Sequence, residues 1–335
     1  MPERTTLLTG TGIAIPERQV ASCEFDKELG LEIGTIERMC GVASRPVASA
    51  HETQEALASA AARLALAEAG VEGCEIDLLL FAAAVGRQPI PATAPLVKRE
   101  LGLSDHAFAA YDINSTCLSA LTAMDVGALH IAAGRARHVL VVASEIASRA
   151  LPWRTAPATA GLFGDGAGAL VLSASDAGRT GARLSGFAME TYPQGYDYCA
   201  LRSGGTGIDF HRDREAFAAN AWFEMDGHNL YRLSLQLLPA FVERVLANTG
   251  LTPGDLDVIV PHQASPLALK HAQARCGFRP GRVVNIVADM GNQVAASLPI
   301  ALHMARTTGR IRAGMKVLLL GSSAGLSFGG AMLSA

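Results

Sequence analysis

Residues 128–144 read ALHIAAGRARHVLVVAS, and residues 301–323 read ALHMARTTGRIRAGMKVLLLGSS. An Ala-Leu-His helix segment, a Gly-Arg-x-Arg turn and a β-branched or Leu-rich strand recur in the same order. A second echo follows each copy, FGDGAGALVLSAS at 163–175 and FGGAMLSA at 328–335. Shared order over this length marks a duplication. The repeat predicts an α/β chain of two βα halves, residues 1–175 and 176–335, packed on one another. Its helices are Ala-rich and apolar, which predicts layers buried on both faces, as parallel sheets between helices require. With 335 residues, 50% of them apolar and only 18% charged, the chain can bury a core of that size.

Upstream of the first copy stands Asn114-Ser115-Thr116-Cys117-Leu118-Ser119. Cys117 follows an apolar, turn-like stretch from Phe108 to Ile113 and precedes a helical pattern through Leu118, Leu121, Met124, Ala128 and Ile131. A thiol at a helix N-terminus meets unpaired N–H groups with partial positive charge, which favour the thiolate and make a nucleophile. Upstream of the second copy stands Met290-Gly291-Asn292-Gln293, between a predicted strand over 283–287 and a predicted helix over 295–305 with Pro299 in its first turns. Val260-Pro261-His262-Gln263-Ala264 follows the strand-like run 256–260 and precedes the helix-like run 267–272. It therefore lies at the carboxyl end of a strand, where open α/β sheets place their sites. Asn and neutral His both present N–H donors, so together they suit an enolate or oxyanion. Taken singly, the Cys also reads as a small packing residue, and the Asn and His as loop groups capping turns.

Other patterns narrow the function. Gly10-Thr11-Gly12 lacks the third glycine of a dinucleotide fingerprint, and Pro16 breaks the helix such a site needs. The glycines of Gly164-Asp165-Gly166-Ala167-Gly168 precede a strand rather than a helix, which excludes a phosphate cradle and predicts close backbone approach near the active-site helix. Six cysteines, at 23, 40, 74, 117, 199 and 276, form no C-x-x-C pair, so no metal site is expected. The net charge of −3, with dispersed basic residues, gives no case for nucleic acid. The longest wholly apolar run, 78–85, is too short for a bilayer, and Met1-Pro2-Glu3-Arg4 opens no signal segment, so a cytoplasmic protein off the membrane is expected. Lys270, Arg275, Arg279 and Arg282 are the candidates for a local basic patch, and also read as an ordinary solvated surface.

These residues in combination resemble the thiolase-fold condensing enzymes, and within them the β-ketoacyl-acyl carrier protein synthase III family. The likeness includes the opening Leu8 to Pro16, the Cys117 context, Phe163 to Ala169, Met225-Asp226-Gly227, Pro261 to Ala264, Gly291-Asn292 with Ala295-Ala296-Ser297, and Gly321 to Gly330. It implies a thiolase-like α/β fold whose duplicated βα halves form a five-layered α-β-α-β-α sandwich, and a homodimer. It further implies a nucleophilic Cys117, an oxyanion hole from the N–H groups of Cys117 and Ala324, and an enolate pocket from His262 and Asn292. Acyl and malonyl thioesters, on coenzyme A or acyl carrier protein, would be substrates, with no cofactor. Thr116, Leu118 and Ser322 would line the substrate channel, and Ile90, in Gln88-Pro89-Ile90-Pro91, would line the neighbouring protomer's acyl pocket. Thr35, Met39, Pro157 and Leu267 stand where the family holds the coenzyme A nucleotide with Trp, Arg and basic residues, which points to a carrier-bound primer; Arg38, Arg154 and Lys270 are the nearby cations. The leading expectation is a decarboxylative condensing enzyme of fatty-acid or polyketide-like biosynthesis. An acyltransferase without C–C bond formation and a non-catalytic partner subunit are the alternatives.

Overall fold

In the computed structural model, which describes residues 4–335, nine strands form one continuous sheet: β1 Thr6–Ala14, β2 Leu78–Ala82, β3 Ala109–Ile113, β4 His138–Glu145, β5 Gly166–Ala174, β6 Ala182–Thr191, β7 Val258–Pro261, β8 Lys316–Ser323 and β9 Ser327–Ser334. The reading of the N-terminus from Met1 to Glu3 lies outside the described residues. The spatial order is β7-β8-β9-β6-β1-β5-β4-β2-β3. From the β1–β6 junction outward, each side runs antiparallel, antiparallel, then parallel. The short segment at Val283, in a parallel bridge with Ile259, stands in the second half where β3 stands in the first.

The duplication extends to single hydrogen bonds. Asp77 precedes β2, donates its N–H to His138 O (3.0 Å) and accepts the His138 N–H on its carboxylate (3.1 Å). Asp257 precedes β7 and does the same with Lys316, at 2.9 and 3.0 Å. Strand register pairs Leu140 with Val171 and Leu318 with Met332, so the second sequence echo aligns Leu172-Ser173-Ala174 with Leu333-Ser334-Ala335.

Five helices complete the layers: α1 Gln54–Ala69, α2 Ser119–Ala132, α3 Gly227–Ala247, α4 Pro266–Arg275 and α5 Ser297–Thr307. Helices α2 and α5 touch each other and lie between the two halves of the sheet; α1 covers the outer face of the first half and α3 that of the second. The central core joins Leu118, just before α2, and Leu121 and Met124 of α2 to Leu298, Ile300 and Leu302 of α5 and to strand residues of both halves. This is the expected five-layered thiolase-like sandwich. Gly10 and Gly12 of β1 face α1 so closely that a side chain there would overlap the carbonyls of Ala65 and Ala61, so their role is packing. A Cβ on Gly168 would lie 2.7 Å from Pro299 of α5; the close approach is to the helix after Asn292 rather than the one after Cys117.

Two local expectations change. Residues 108–113 were expected to be turn-like, and form strand β3 from Ala109, because parallel pairing with β2 outweighs the local pattern. Over 283–287, only Val283 bridges to a strand, and Val287–Met290 is a helical turn. The buried Gln263 amide explains this: it donates to Val284 O (3.2 Å) and accepts the Ile286 N–H (2.9 Å), so a side chain satisfies backbone that a strand would otherwise pair.

Candidate active site

Cys117 sits on a 3₁₀ turn, Thr116–Leu118, immediately before α2. Thr116 has φ 54°, a left-handed conformation unusual for a β-branched residue. Asn114 supports it: its Oδ1 accepts the Thr116 N–H (2.9 Å), and its Nδ2 donates to Ala84 O (3.0 Å). The Ser119 hydroxyl reaches Thr116 O (2.6 Å) and Ala83 O (3.2 Å), tying the turn to the end of β2. Cys117 as a residue is half-buried, but its sulfur points inward, where the Ala324 N–H faces it.

The expectation of a resting thiolate is corrected. Loss of water around the sulfur pushes the Cys117 thiol up to about 12, with the negative charge of Glu145 and then Cys199 adding to it, against the N–H groups of Ala324 and Cys117. A helix terminus contributes roughly 0.3–2 kcal/mol, too little to offset that burial. Cys117 rests as a thiol.

His262 follows β7 and is 5% exposed. Its N–H donates to Leu320 O (2.7 Å), and its Nδ1 lies 2.5 Å from Ser297 Oγ, which also accepts the Gln263 N–H (3.3 Å). A Ser297 hydroxyl donating to Nδ1 leaves the proton of the neutral ring on Nε2. Burial pulls His262 down to about 4, so it is neutral near pH 7. Asn292 is 6% exposed, and its backbone is fixed by Leu162 O (2.8 Å) and the Gly164 N–H (3.1 Å). Its Oδ1 accepts the Val294 N–H (2.8 Å), while its Nδ2 makes one long contact, to Ala264 O (3.4 Å), leaving donor capacity.

The turns are brought together. Val294–Ala296 packs on Thr116–Leu118. A Cβ on Gly321 of β8 would lie 2.6 Å from Leu118 Cδ2 and 3.4 Å from His262 Cβ, so this glycine lets the Cys117 turn and His262 close on one strand. Cys117, His262, Asn292 and Ala324 thus share one site at the strand carboxyl ends. Thr116 adjoins Cys117, with Oγ1 3.5 Å from Ala324 O, and Leu118 is 1% exposed and packs against Gly321 and Gly329. Ser322 is a correction: strand alternation puts it on the face of Leu318 and Leu320, whereas Gly321 and Ser323 face the site. Ile90, 87% exposed, is not brought to the Cys117 of its own chain.

The basic patch divides. Lys270 and Arg275 lie on α4, while Arg282 is held by Asp257 at the opposite end of β7, through the Asp257 carbonyl (2.9 Å) and carboxylate (3.5 Å). Arg38 is engaged by Glu32 (3.6 Å) and Thr35 (3.1 Å). Ser297, Asn114 and Glu145 are site residues to which the sequence reading assigned no role. The signal was present: N-x-x-C-x-S at 114–119 matches N-x-x-A-x-S at 292–297. No helix among the described residues is long and apolar enough to cross a membrane.

Residues 111–193 match the family 3-oxoacyl-[acyl-carrier-protein] synthase III, and residues 246–335 match its C-terminal counterpart. The chain is 33% identical to β-ketoacyl-[acyl-carrier-protein] synthase III of Symbiobacterium thermophilum, with 98% of each chain covered. It is 34% identical to synthase III 3 of Streptomyces coelicolor, over 99% of this chain and 97% of that one. The crystal structure of the priming β-ketosynthase from the R1128 polyketide biosynthetic pathway superimposes with TM-score 0.89 at 29% identity, covering 100% of this chain and 98% of that one. With its duplicated sheet, its Cys, His and Asn gathered at one end and relatives matched along almost its whole length, this chain belongs to the β-ketoacyl-acyl carrier protein synthase III family of condensing enzymes.

Proposed function

We propose that Cys117 carries the primer acyl group and that His262 and Asn292 hold the enolate of a malonyl thioester, in a decarboxylative Claisen condensation. The observation that carries this reading is that two neutral, buried donors, His262 and Asn292, stand on segments packed against the turn that holds this thiol.

In the first half-reaction, Cys117 Sγ attacks the thioester carbon and the thiol proton passes to the departing thiolate. Because thiol replaces thiol, no base is consumed. The N–H groups of Cys117 and Ala324 receive the tetrahedral oxyanion. In the second, the C–CO₂ bond of the malonyl thioester breaks and its electrons form an enolate, whose oxygen accepts from His262 Nε2–H and Asn292 Nδ2–H. The enolate carbon attacks the acyl-Cys117 carbonyl, the C–S bond breaks, and the released sulfur takes up one proton from solvent, since loss of CO₂ from the carboxylate supplies none. The products are a β-ketoacyl thioester and CO₂. A neutral His262 suits this step, since a donor that does not lose its proton stabilises the oxygen throughout. The names of the relatives, a β-ketoacyl-[acyl-carrier-protein] synthase III and a priming β-ketosynthase of a polyketide pathway, support fatty-acid or polyketide-like biosynthesis with acyl carrier protein as a partner. On this reading the assembly is a homodimer, in which the exposed Ile90 meets a neighbouring pocket.

Met39 and Leu267 favour a carrier-bound primer. Both are more than half exposed, and Gly41 packs on Pro266, so an apolar pair stands where the family resemblance implies cations for a nucleotide. Residues 1–175 and 176–335 are the two repeat halves on this reading, the nucleophile in the first and both donors in the second. The test is CO₂ release from malonyl-carrier protein and malonyl-coenzyme A, with and without a primer. Release that depends on Asn292 and His262 and yields β-ketoacyl product supports condensation; acyl transfer without CO₂ contradicts it.

A further inference from the structure

Glu145, the last residue of β4, is 3% exposed and has no part in the steps above. Its Oε1 accepts the Ala84 N–H (2.6 Å), and the N–H groups of Ala295 and Val85 face its carboxylate. Ala84 and Val85 follow β2 in the first half; Ala295 lies in the turn after Asn292 in the second. Ala84 is in turn bonded to Asn114, which holds Thr116 beside the nucleophile. A line of polar contacts therefore runs from the Cys117 turn, through Glu145, to the Asn292 turn.

The duplication gives this line its meaning. Strands β4 and β8 are repeat partners, so Glu145 matches Ser323, and Ala295 matches Cys117. At the first half's turn, Ala324 of the second half, next to Ser323, offers its N–H to Cys117. In the second, a carboxylate stands beside the equivalent N–H, that of Ala295. We propose that Glu145 is a positioning residue that fills the second half's counterpart of the oxyanion pocket, locks the Asn292 turn to the Cys117 turn, and, when ionised, sets a like charge near the thiol. The proposal rests on Cys117 as nucleophile and Asn292 as enolate donor.

Burial pushes Glu145 up to about 8, against the N–H groups of Ala84, Ala295 and Val85, and buried Asp165 adds to the rise. Asp165 has Ser148 and Arg149 beside it, and Cys117 is faced in addition by Cys199, near Asp226. Above about pH 8 Glu145 is ionised and raises the thiol; below it the carboxyl is neutral and that effect is absent.

The experiment measures alkylation of Cys117 by iodoacetamide, followed at the peptide level across pH, together with CO₂ release from malonyl-coenzyme A, for wild type, Glu145→Gln and Glu145→Asp. For Glu145→Gln, the alkylation rate relative to wild type should rise from near one at about pH 7 to roughly three- to tenfold at about pH 9, because the like charge is gone. CO₂ release should fall about tenfold, because an amide cannot accept all three N–H groups. Glu145→Asp keeps the charge but shortens its reach, so CO₂ release should fall while the alkylation profile stays with wild type. A uniform loss of both readouts in Glu145→Gln, with a lowered Tm, would reduce Glu145 to fold support, and unchanged readouts in both variants would overturn the proposal outright. Cys117→Ala is included separately: an acyl adduct that survives it defeats the nucleophile assignment, not the role of Glu145.

Discussion

The turn at 114–119 and the turn at 292–297 repeat one backbone design. Each begins with an Asn whose Oδ1 accepts the N–H two residues on and whose Nδ2 reaches a carbonyl after the neighbouring strand, Ala84 in one and Ala264 in the other. Each then passes through a non-glycine residue at positive φ, Thr116 at 54° and Val294 at 50°, and ends on a Ser that opens a central helix. The contents differ. The first carries Cys117, and the strand residue matching His262 is Ala82; the second carries Ala295 and has the His. Exposure differs as well, since Asn114 is exposed and Asn292 buried, so only Asn292 has a donor in a site from which water is largely excluded. Duplication supplied two equivalent frames, and the proposed chemistry divides between them: covalent attachment in one, enolate stabilisation in the other.

The comparison breaks most sharply at the two asparagines. Asn292→Ala should lower CO₂ release on the order of 10²–10³-fold, the usual loss for one oxyanion donor, while acylation of Cys117 stays within a few-fold of wild type. Stopped-flow acylation and radiolabelled CO₂ capture on the same preparation check this. Asn114→Ala removes matching hydrogen bonds from the other frame. It should lower acylation only several-fold and leave decarboxylation intact, because Asn114 touches the turn rather than the substrate.

Ser297→Ala should cost about tenfold in CO₂ release, through loss of the hydroxyl that fixes the His262 tautomer; the Cys117 half-reaction should be unaffected. Steady-state kcat for decarboxylation measures it. Below unity in effect is the pH response expected over the working range. With His262 depressed to about 4 by burial, the ring is neutral in the folded protein well below its unfolded value, so CO₂ release should stay flat on its account from about pH 5 to pH 8. By the same shift, the folded protein resists protonation that the unfolded chain accepts. The stability linked to His262 is therefore present above about pH 6.5 and declines as the pH falls toward 4, which denaturant midpoints across pH would register. The smallest expected effect is the most diagnostic of the asymmetry: Cys117→Ala/Ala295→Cys, a thiol moved to the other frame, should acquire no acyl group, because Ala295 is fully buried and its N–H is engaged by Glu145. Intact mass after incubation with an acyl thioester decides it.

Much of this architecture was legible in the chain. The Ala-Leu-His and Gly-Arg repeats mark the helix and strand of each half, and Cys117, His262 and Asn292 each stand at a predicted strand-to-helix junction, the position that brings residues distant in sequence to one end of the sheet. What escaped depends on burial and on partners remote in sequence. The thiol state of Cys117 follows from loss of water around the sulfur, which a helix-start pattern does not encode. The strand expected at 283–287 gave way to a Gln263 side chain twenty residues upstream. Ser322 was assigned to the channel from the family resemblance, whereas the alternation of side chains along β8 puts it on the opposite face from Gly321. Glu145 sits in a run that reads as an ordinary strand end, and its three N–H partners come from two separate loops.

The central claim is that one thiol accepts an acyl group and that the other half then delivers the carbon nucleophile. Intact-protein mass spectrometry after incubation with a panel of acyl-coenzyme A and acyl-carrier thioesters, followed by a malonyl thioester chase, tests it most directly. The account predicts an acyl adduct in wild type that is absent from Cys117→Ala, and that disappears in the chase with CO₂ release and formation of a β-ketoacyl thioester. An adduct that persists through the chase, or one that survives in Cys117→Ala, would contradict it.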